Sequence, residues 1–291
     1  MTKEEILLGV QEICLEIYKE FKSVCDKHNL QYYGIGGTCI GAVRHNGFIP
    51  WDDDIDIAMP YIDMCKFIHI ANTEMSEKYE IFTPLEHKQF GEMFIKLIKK
   101  DTTYILSINK KNPGAYTGIG IDIMPIFGLG KDKKKQSKAA KVNDFYVRMN
   151  CVMHYPFSAQ KTFLGRSTWV LSQPIKRVFI NSNYWLKKSI KEFSEIPFDK
   201  SDKILFAWRL MRKNNATGFY DSIFDYEDFK AYKELPFEDT LMRVPIGYDR
   251  YLKHDFGDYM TLPPKEKQIP VHDAVVVDFV KPYTDYIGKL L

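Results

Sequence analysis

Four aspartates fall within five positions, residues 52–56, in the stretch WDDDIDIAM. Because side chains of an extended strand alternate between its two faces, we expect Asp54 and Asp56 to lie on one face and the intervening isoleucines on the other. Two carboxylates that close repel each other and raise each other's pKa unless a cation lies between them. The pattern predicts a site for a divalent cation that prefers oxygen ligands, Mg²⁺, with Mn²⁺ as an alternative.

A second strand, IGIDIMPIF, carries one carboxylate, Asp122, between apolar residues. A buried acid needs a partner, so we expect this strand to lie beside the first. Asp122 would then complete a three-carboxylate site with Asp54 and Asp56, as a metal ligand or as a general base. The alternative is an edge strand whose acids face water. For Asp52 and Asp53, which fall in the preceding turn, capping or solvation explains the pattern as well as metal binding does.

The stretch YYGIGGTCIG places Gly36 and Gly37 directly before Thr38, which we predict as the N-cap of a short helix. Glycine lets the backbone approach a phosphate, and a helix N-terminus offers free N–H donors. Such a turn is weak evidence by itself. Followed by an acid pair on the next strand, it predicts a site where anion donors and a cation meet at one phosphate.

Four further side chains are candidates for the same site. Arg44 and His45 close the short helix, where they would contact phosphate or the acceptor, or equally serve as cations at the helix C-terminus. Lys96 interrupts the apolar stretch FIKLI, and a buried lysine needs an anion, either a phosphate or one of the aspartates. His272, in IPVHD, is a candidate catalytic residue, although a lone histidine is more often structural.

The composition sets the class of protein. The chain has 291 residues, 45% of them hydrophobic, and a net charge of +3, which is typical of a packed globular protein and gives no case for nucleic-acid binding. The acidic, amphipathic N-terminus is unlike a signal peptide, and no stretch reaches the length of a spanning helix. Five cysteines without metal or C-x-x-C spacing favour a reducing cytoplasm.

The order of predicted elements indicates an α+β fold. Residues 3–28 should form an amphipathic helix behind a capping box, and a helix at 62–79 and several strands follow. We predict three regions: a catalytic core over 1–130, a basic, mainly helical segment over 131–224, and a C-terminal elaboration over 225–291. The last is turn-rich, with a short helix near Tyr248.

Charge is segregated along the chain. Residues 131–193 carry 14 Lys/Arg against three acidic residues, a net of +11, which leaves −8 for the remainder. We predict helices here with a break at Pro174. The basic, aromatic part over 161–193 is a candidate for contact with an anionic membrane. A solvated basic face over a buried stripe is the favoured alternative.

The stretch GGTCIGAVRHNGFIPWDDDIDIAM closely resembles the signature of the LicD family, the bacterial phosphocholine transferases related to fukutin and fukutin-related protein. GIGIDIMPIFGL and the C-terminal YDRYLKHDFGDYMTLPPKEKQIPVHD agree with it. The resemblance implies a nucleotidyltransferase-like mixed sheet with flanking helices, Mg²⁺ at the active site, and a CDP-alcohol donor, typically CDP-choline. Phosphocholine would pass to a hydroxyl of a cell-surface glycan or its lipid-linked precursor, and CMP would leave.

The resemblance also assigns roles. By position, Asp54 and Asp56 match the family's metal-binding pair and Asp122 its later acid, and the phosphate-binding turn matches Gly36, Gly37 and Thr38. His272 gains weight because it lies in a family block, as do three residues that could simply hold the tail in place: Tyr248, Tyr251 and Asp258. A choline headgroup would need aromatic faces, for which Trp51, Tyr116 and the tail tyrosines are candidates.

Three other functions remain open on the same residues. A donor such as CDP-ribitol or CDP-glycerol would use the same metal site without an aromatic pocket. A true nucleotidyltransferase would use the same three acids and release pyrophosphate. A non-catalytic glycan-binding scaffold fits least well, because a binding module has no need for mutually repelling carboxylates.

Overall fold

The computed structural model describes residues 1–155, 163–179, 183–209 and 222–290. Its first helix begins at a capping box, as predicted. The Thr2 hydroxyl accepts from the Glu5 N–H at 3.1 Å, and the Glu5 carboxylate accepts from the Thr2 N–H at 2.7 Å. The buried stripe of this helix, from Val10 to Val24, packs on the main sheet.

The elements of the described ranges run as follows. The helices are α1 Lys3–Lys27, α2 Gly36–Arg44, α3 Tyr61–Glu74, α4 Lys133–His154, α5 Phe163–Phe179, α6 Tyr184–Phe193, α7 Tyr226–Phe229 and α8 Tyr248–Phe256. The strands are β1 Tyr33–Gly34, β2 Asp56–Pro60, β3 Tyr79–Phe82, β4 Ile95–Lys99, β5 Thr103–Leu106, β6 Gly120–Gly128, β7 Lys203–Phe206, β8 Ile223–Asp225, β9 Tyr232–Phe237, β10 Thr240–Pro245 and β11 Ala274–Asp278.

Strand β6 is the centre of the main sheet. One of its edges pairs in parallel with β2, and the other pairs antiparallel with β4 at its start and with β7 at its end. Strand β1 then flanks β2, β3 flanks β4, and β8 flanks β7. The predicted α+β class, with a mixed sheet between helices, is confirmed.

Two smaller sheets lie outside this one. Strands β5 and β11 pair antiparallel, and β9 and β10 form a hairpin that the irregular sequence of the tail did not predict. The tail shares the main core through buried side chains, among them Tyr251, Leu252 and Tyr259. The division at residues 130 and 224 stays a prediction, and the main sheet crosses it, because β7 belongs to the predicted helical segment.

Two helix boundaries differ from the prediction. Helix α5 continues through Pro174, so the predicted break there is wrong. In the turn before this proline, the side chains of Ser172 and Gln173 both donate to the Trp169 carbonyl at 2.7 Å. The N–H that Pro174 lacks would have donated to the next carbonyl, that of Val170. Helix α3 ends at Glu74 rather than near 79, because the next residue is extended.

None of the helices within the described ranges offers an apolar stretch long enough to cross a bilayer.

Helix α1 is tied to the sheet through the carboxylate of Glu16. It accepts hydrogen bonds from Lys78 at 2.7 Å, Tyr79 at 2.9 Å and Lys99 at 2.8 Å. Burial alone would raise the pKa of Glu16, but these donors lower it to about 2. The folded-state pKa therefore lies below the ordinary value of 4.5, so this carboxylate stabilises the fold above that pH and loses its contribution as the pH falls toward 2.

We expect Glu16→Gln to lower the free energy of unfolding by about 1 kcal/mol at neutral pH, a figure reduced for solvent screening of this partly exposed cluster. The difference from wild type should shrink steadily below pH ~4. Urea titrations across this pH range measure it, with Glu12→Gln, an exposed position on the same helix, as the control. A loss that does not change with pH would contradict the ionic explanation.

Candidate active site

One row of charged side chains crosses the three central strands. Asp56 on β2 is the register partner of Asp122 on β6, which is in turn the partner of Lys96 on β4. The Lys96 ammonium donates to Oδ1 of Asp122, so the anion that this buried lysine requires is an aspartate. Burial would lower the pKa of Lys96, but Asp122 and then Glu92 raise it, and the lysine stays charged.

Asp54 and Asp56 stand beside this row with little to neutralise them. Neither carboxylate accepts a hydrogen bond from any residue that the structure describes. Burial raises the pKa of Asp54 to about 6, although the charge of His272 acts to lower it. Burial, followed by Asp54 and Asp122, holds the pKa of Asp56 well above its usual range. The pair therefore concentrates negative charge that the protein itself does not balance.

Asp53 is buried rather than solvated, and it anchors His272. Its Oδ2 accepts from the Tyr104 hydroxyl at 2.6 Å, and its Oδ1 lies 3.0 Å from Nδ1 of His272. The same nitrogen is 3.7 Å from Oδ2 of Asp54. Burial would lower the pKa of His272, but the hydrogen bond to Asp53 and the charge of Asp54 raise it to about 9. His272 thus lies in the site as a cation at neutral pH.

The three consecutive aspartates form a compact group. One carboxylate oxygen of each of Asp52, Asp53 and Asp54 lies within 4.8 Å of the others. The position of Asp52 and Asp53 in a turn of the sequence suggested capping or solvation as readily as metal binding. Both are instead buried, because α1 covers the turn. Gln11 of this helix donates to the Asp52 carbonyl at 2.7 Å. Burial, then Asp54, raises the pKa of Asp52 to about 8.

The glycine turn differs in detail from the prediction. Helix α2 begins at Gly36, whose φ of +56° lies in the left-handed region that favours glycine, so Thr38 is inside the helix and is not its N-cap. The Thr38 hydroxyl instead accepts from the Asp56 N–H at 2.8 Å. The Gly36 N–H donates to the hydroxyl of the buried Tyr251 at 2.9 Å. Two hydrogen bonds, one to β2 and one to the C-terminal region, thus hold the turn in place.

The first turn of α2 is in close contact with the acids. A Cβ on Gly36 would lie 3.4 Å from Oδ2 of Asp56, and one on Gly37 would collide with Oδ2 of Asp52. Glycine is therefore needed at position 37 for Asp52 to approach the helix N-terminus, whereas at position 36 it is the left-handed backbone that favours glycine. The structure brings together the two features that sequence placed side by side, backbone donors for an anion and carboxylates for a cation.

Arg44, His45 and Trp51 are grouped at the other end of α2. Arg44 donates through Nη1 to the Tyr259 carbonyl and through Nε to Nε2 of His45 at 2.9 Å. The His45 ring meets Trp51 edge-on, with centroids 6.4 Å apart. A nine-residue helix is roughly 13 Å long, so Arg44 and His45 lie well away from the glycine turn. Their predicted contact with phosphate stays a prediction, and a cation in the last turn also suits the helix dipole.

Comparison with known proteins identifies the core. Residues 29–125 match the family model described as "LicD/FKTN/FKRP, nucleotidyltransferase domain". This third of the chain thus matches a LicD-type nucleotidyltransferase domain. The LicD-type domain contains every predicted site residue except His272, and the predicted resemblance to the LicD family is confirmed.

Three curated relatives extend the comparison. The chain is 28% identical over 278 residues to the lipopolysaccharide cholinephosphotransferase LicD of Haemophilus influenzae. This alignment covers 93% of the chain and 97% of the relative. An uncharacterized protein of Rickettsia prowazekii is 30% identical over 105 residues, 36% of each chain. One of Rickettsia typhi is 40% identical over 55 residues, 19% of this chain and 18% of the relative. The similarity to the Haemophilus protein thus extends beyond the LicD-type domain into both flanking regions.

Proposed function

We propose that this protein is a Mg²⁺-dependent phosphotransferase that moves phosphocholine from CDP-choline to a hydroxyl of a cell-surface glycan or its lipid-linked precursor. The observation that carries the proposal is the unbalanced pair Asp54 and Asp56 at the N-terminus of α2. The choice of phosphocholine is supported by the near full-length similarity to a relative named for cholinephosphotransfer to lipopolysaccharide.

The acidic residues suit a divalent cation. Asp54 and Asp56 lack hydrogen-bond donors among the described residues. Burial raises the pKa of both, and the charge of Asp54 raises the pKa of Asp56 further, which is the arrangement that a hard cation relieves. Asp122 is the proposed third ligand, and its Oδ1 is already held by Lys96. A bound Mg²⁺, or Mn²⁺, would supply charge neutralisation at the donor's diphosphate.

The remaining residues are assigned roles in binding and proton transfer. The N–H groups of Gly37 and Thr38, in the first turn of α2, would bind a phosphate oxygen of the donor, while the Gly36 N–H is held by the Tyr251 hydroxyl. The acceptor oxygen attacks the phosphorus that carries choline, and the bond from that phosphorus to the bridging oxygen of CMP breaks. As the alternative to metal ligation, Asp122 would accept the hydroxyl proton. His272 positions Asp54 from its hydrogen bond to Asp53.

The donor can be tested by calorimetry. Protein is titrated with CDP-choline, CDP-ribitol and CDP-glycerol, with and without Mg²⁺, alongside the Asp54→Ala/Asp56→Ala variant. The proposal expects Mg²⁺-dependent binding of CDP-choline and its loss in the variant. Preference for CDP-ribitol or CDP-glycerol would reassign the alcohol, and folded protein that binds no CDP-alcohol would favour the nucleotidyltransferase or scaffold alternatives.

We also propose that the basic helices contact an anionic membrane, where a lipid-linked acceptor would lie. Within the described part of 161–193, α5 exposes three apolar side chains on a strongly basic segment: Phe163, Val170 and Leu171. Residues 161–162 and 180–182 of the proposed contact are outside the described residues. Exposed apolar groups beside lysines are typical of interfacial helices.

Vesicle sedimentation tests this contact. We expect the protein to sediment with phosphatidylglycerol vesicles at low salt and not with phosphatidylcholine vesicles. The double variant Val170→Ser/Leu171→Ser should weaken binding by about tenfold, since two exposed aliphatic side chains would no longer be buried in the lipid interface. The control is Val280→Ser, another exposed valine, far along the chain. Equal binding to both vesicle types, or no effect of the double variant, would contradict the proposal.

A further inference from the structure

A pocket opens beside the acidic cluster, between α1, the segment before β4, and the start of β6. Its charged lining is formed by Asp53, Asp54, Glu92, Lys96 and His272. Aromatic and aliphatic side chains complete the wall, among them Phe90, Tyr104 and Leu106. The pocket therefore joins the proposed metal site directly and combines charge with apolar surface.

Glu92 is the one charged group of this lining that the proposed mechanism leaves without a role. Its carboxylate accepts a hydrogen bond from the Tyr155 hydroxyl, which fixes its orientation. Burial raises the pKa of Glu92, with Tyr155 acting in the opposite direction. A buried carboxylate held by one neutral hydroxyl is costly to maintain unless a cationic group comes to it.

The two cations of the lining are already paired. Lys96 donates to Asp122, and His272 is bound to Asp53. Of the two acids that remain, Asp54 has the 3.7 Å approach of His272, whereas Glu92 has no basic side chain within 4 Å among the residues that the structure describes. With Asp54 assigned to the metal, Glu92 is left as a negative group inside an aromatic pocket.

This combination suits a particular kind of ligand. A quaternary ammonium has no N–H to donate, so it is recognised by aromatic faces, by apolar walls that fit its methyl groups, and by a nearby carboxylate. We propose that this pocket holds the trimethylammonium group of the donor, with Glu92 as its charge partner and Phe90 and Tyr104 as its walls. The inference rests on the proposed function and names the part of that site that selects choline.

The pocket also replaces the aromatic residues considered from sequence. Neither Trp51 nor Tyr116 is part of its lining. The Tyr116 hydroxyl donates to the Lys110 carbonyl, which holds this side chain outside the pocket. Trp51 lies against His45 at the far end of α2. In this proposal Phe90 and Glu92 come from the chain just before β4, a segment to which the sequence assigned no function, and Tyr104 comes from β5.

Steady-state kinetics of Glu92→Gln test the proposal with two donors of the same shape. One is CDP-choline, and the other is CDP-3,3-dimethylbutanol, in which a neutral carbon replaces the ammonium nitrogen. The variant should raise KM for CDP-choline about tenfold or more while kcat changes less than about twofold, because the lost contact is to a group remote from the reacting phosphorus. KM for the neutral donor should stay near the wild-type value.

Controls separate the possible failures. Glu86→Gln, an exposed glutamate of the same segment, should behave as wild type with both donors. Tyr155→Phe keeps the charge of Glu92 but frees its carboxylate, so it should raise KM for CDP-choline by less than Glu92→Gln does. Equal losses with both donors, or a fall in kcat alone, would overturn the role of Glu92. A wild-type protein that is folded and inactive with CDP-choline would instead overturn the proposed function, and this assignment with it.

Discussion

Asp56→Asn is expected to abolish phosphocholine transfer and at the same time to make the cation-free protein more stable. Activity should fall at least about a thousandfold, because a proposed metal ligand is lost at the centre of the charge that the reaction must neutralise. Stability should rise, because Asp56 is buried against Asp54 and Asp122, which hold its pKa well above the usual range. A carboxyl with a raised folded-state pKa costs stability once the pH exceeds its unfolded value, and asparagine removes that cost.

Thermal unfolding in chelator measures the second part. At neutral pH the variant should gain about 1 kcal/mol over wild type, and the gain should disappear near pH ~4, where the unfolded chain also takes up the proton. Added Mg²⁺ should stabilise wild type and leave the variant unchanged. Asp101→Asn, which changes an exposed aspartate, is the matched control. Full activity in Asp56→Asn, or a variant less stable than wild type in chelator, would contradict the site.

Lys96→Met is expected to destabilise the fold by about 3–5 kcal/mol, because it leaves Asp122 buried without its partner. The lysine lies on β4 and the aspartate on β6, and both side chains are largely buried, so water would replace the lost contact only in part. Adding Asp122→Asn should recover most of the loss, since the uncompensated charge is then gone. Transfer activity should be lost in both variants, because Asp122 is a proposed ligand or base.

A double-mutant cycle in urea gives the coupling between the two side chains. Lys100→Met, an exposed lysine just beyond the end of β4, serves as the control and should cost less than about 0.5 kcal/mol. If Lys96→Met cost no more than the control, the ion pair would not hold the sheet together at this point. If the double variant were as unstable as the single one, the loss would come from packing and not from charge.

Local patterns were sufficient for several parts of the structure. The capping box at Thr2 and Glu5 fixed the start of α1, and the alternation around residues 54–57 placed an acid pair at the start of a buried strand. The glycines at 36 and 37 marked the turn next to it. Each of these features depends on neighbours within a few residues, and that is the range over which sequence patterns are read reliably.

The remaining features depend on contacts between distant segments. The pairing of Lys96 with Asp122 follows from the register of β4 on β6, and the partners of Asp53 come from β5 and from the tail. Thr38 was expected to cap a helix by its type, but the left-handed Gly36 started the helix earlier. Glu92 was missed because only the fold brings it next to Tyr104 and the acids. The run of three aspartates was the one available signal for Asp53.

The central claim is that the phosphoryl-alcohol group, and not the nucleotide, is transferred. CDP-choline labelled separately in the choline methyls and in the cytosine ring is incubated with Mg²⁺, the protein, and lipopolysaccharide that lacks phosphocholine. The account predicts that the choline label moves to the lipopolysaccharide while the cytosine label is released as CMP, and that Asp56→Asn stops both. Cytosine label on the acceptor, with the choline label released as phosphocholine, would contradict it and identify a nucleotidyltransferase.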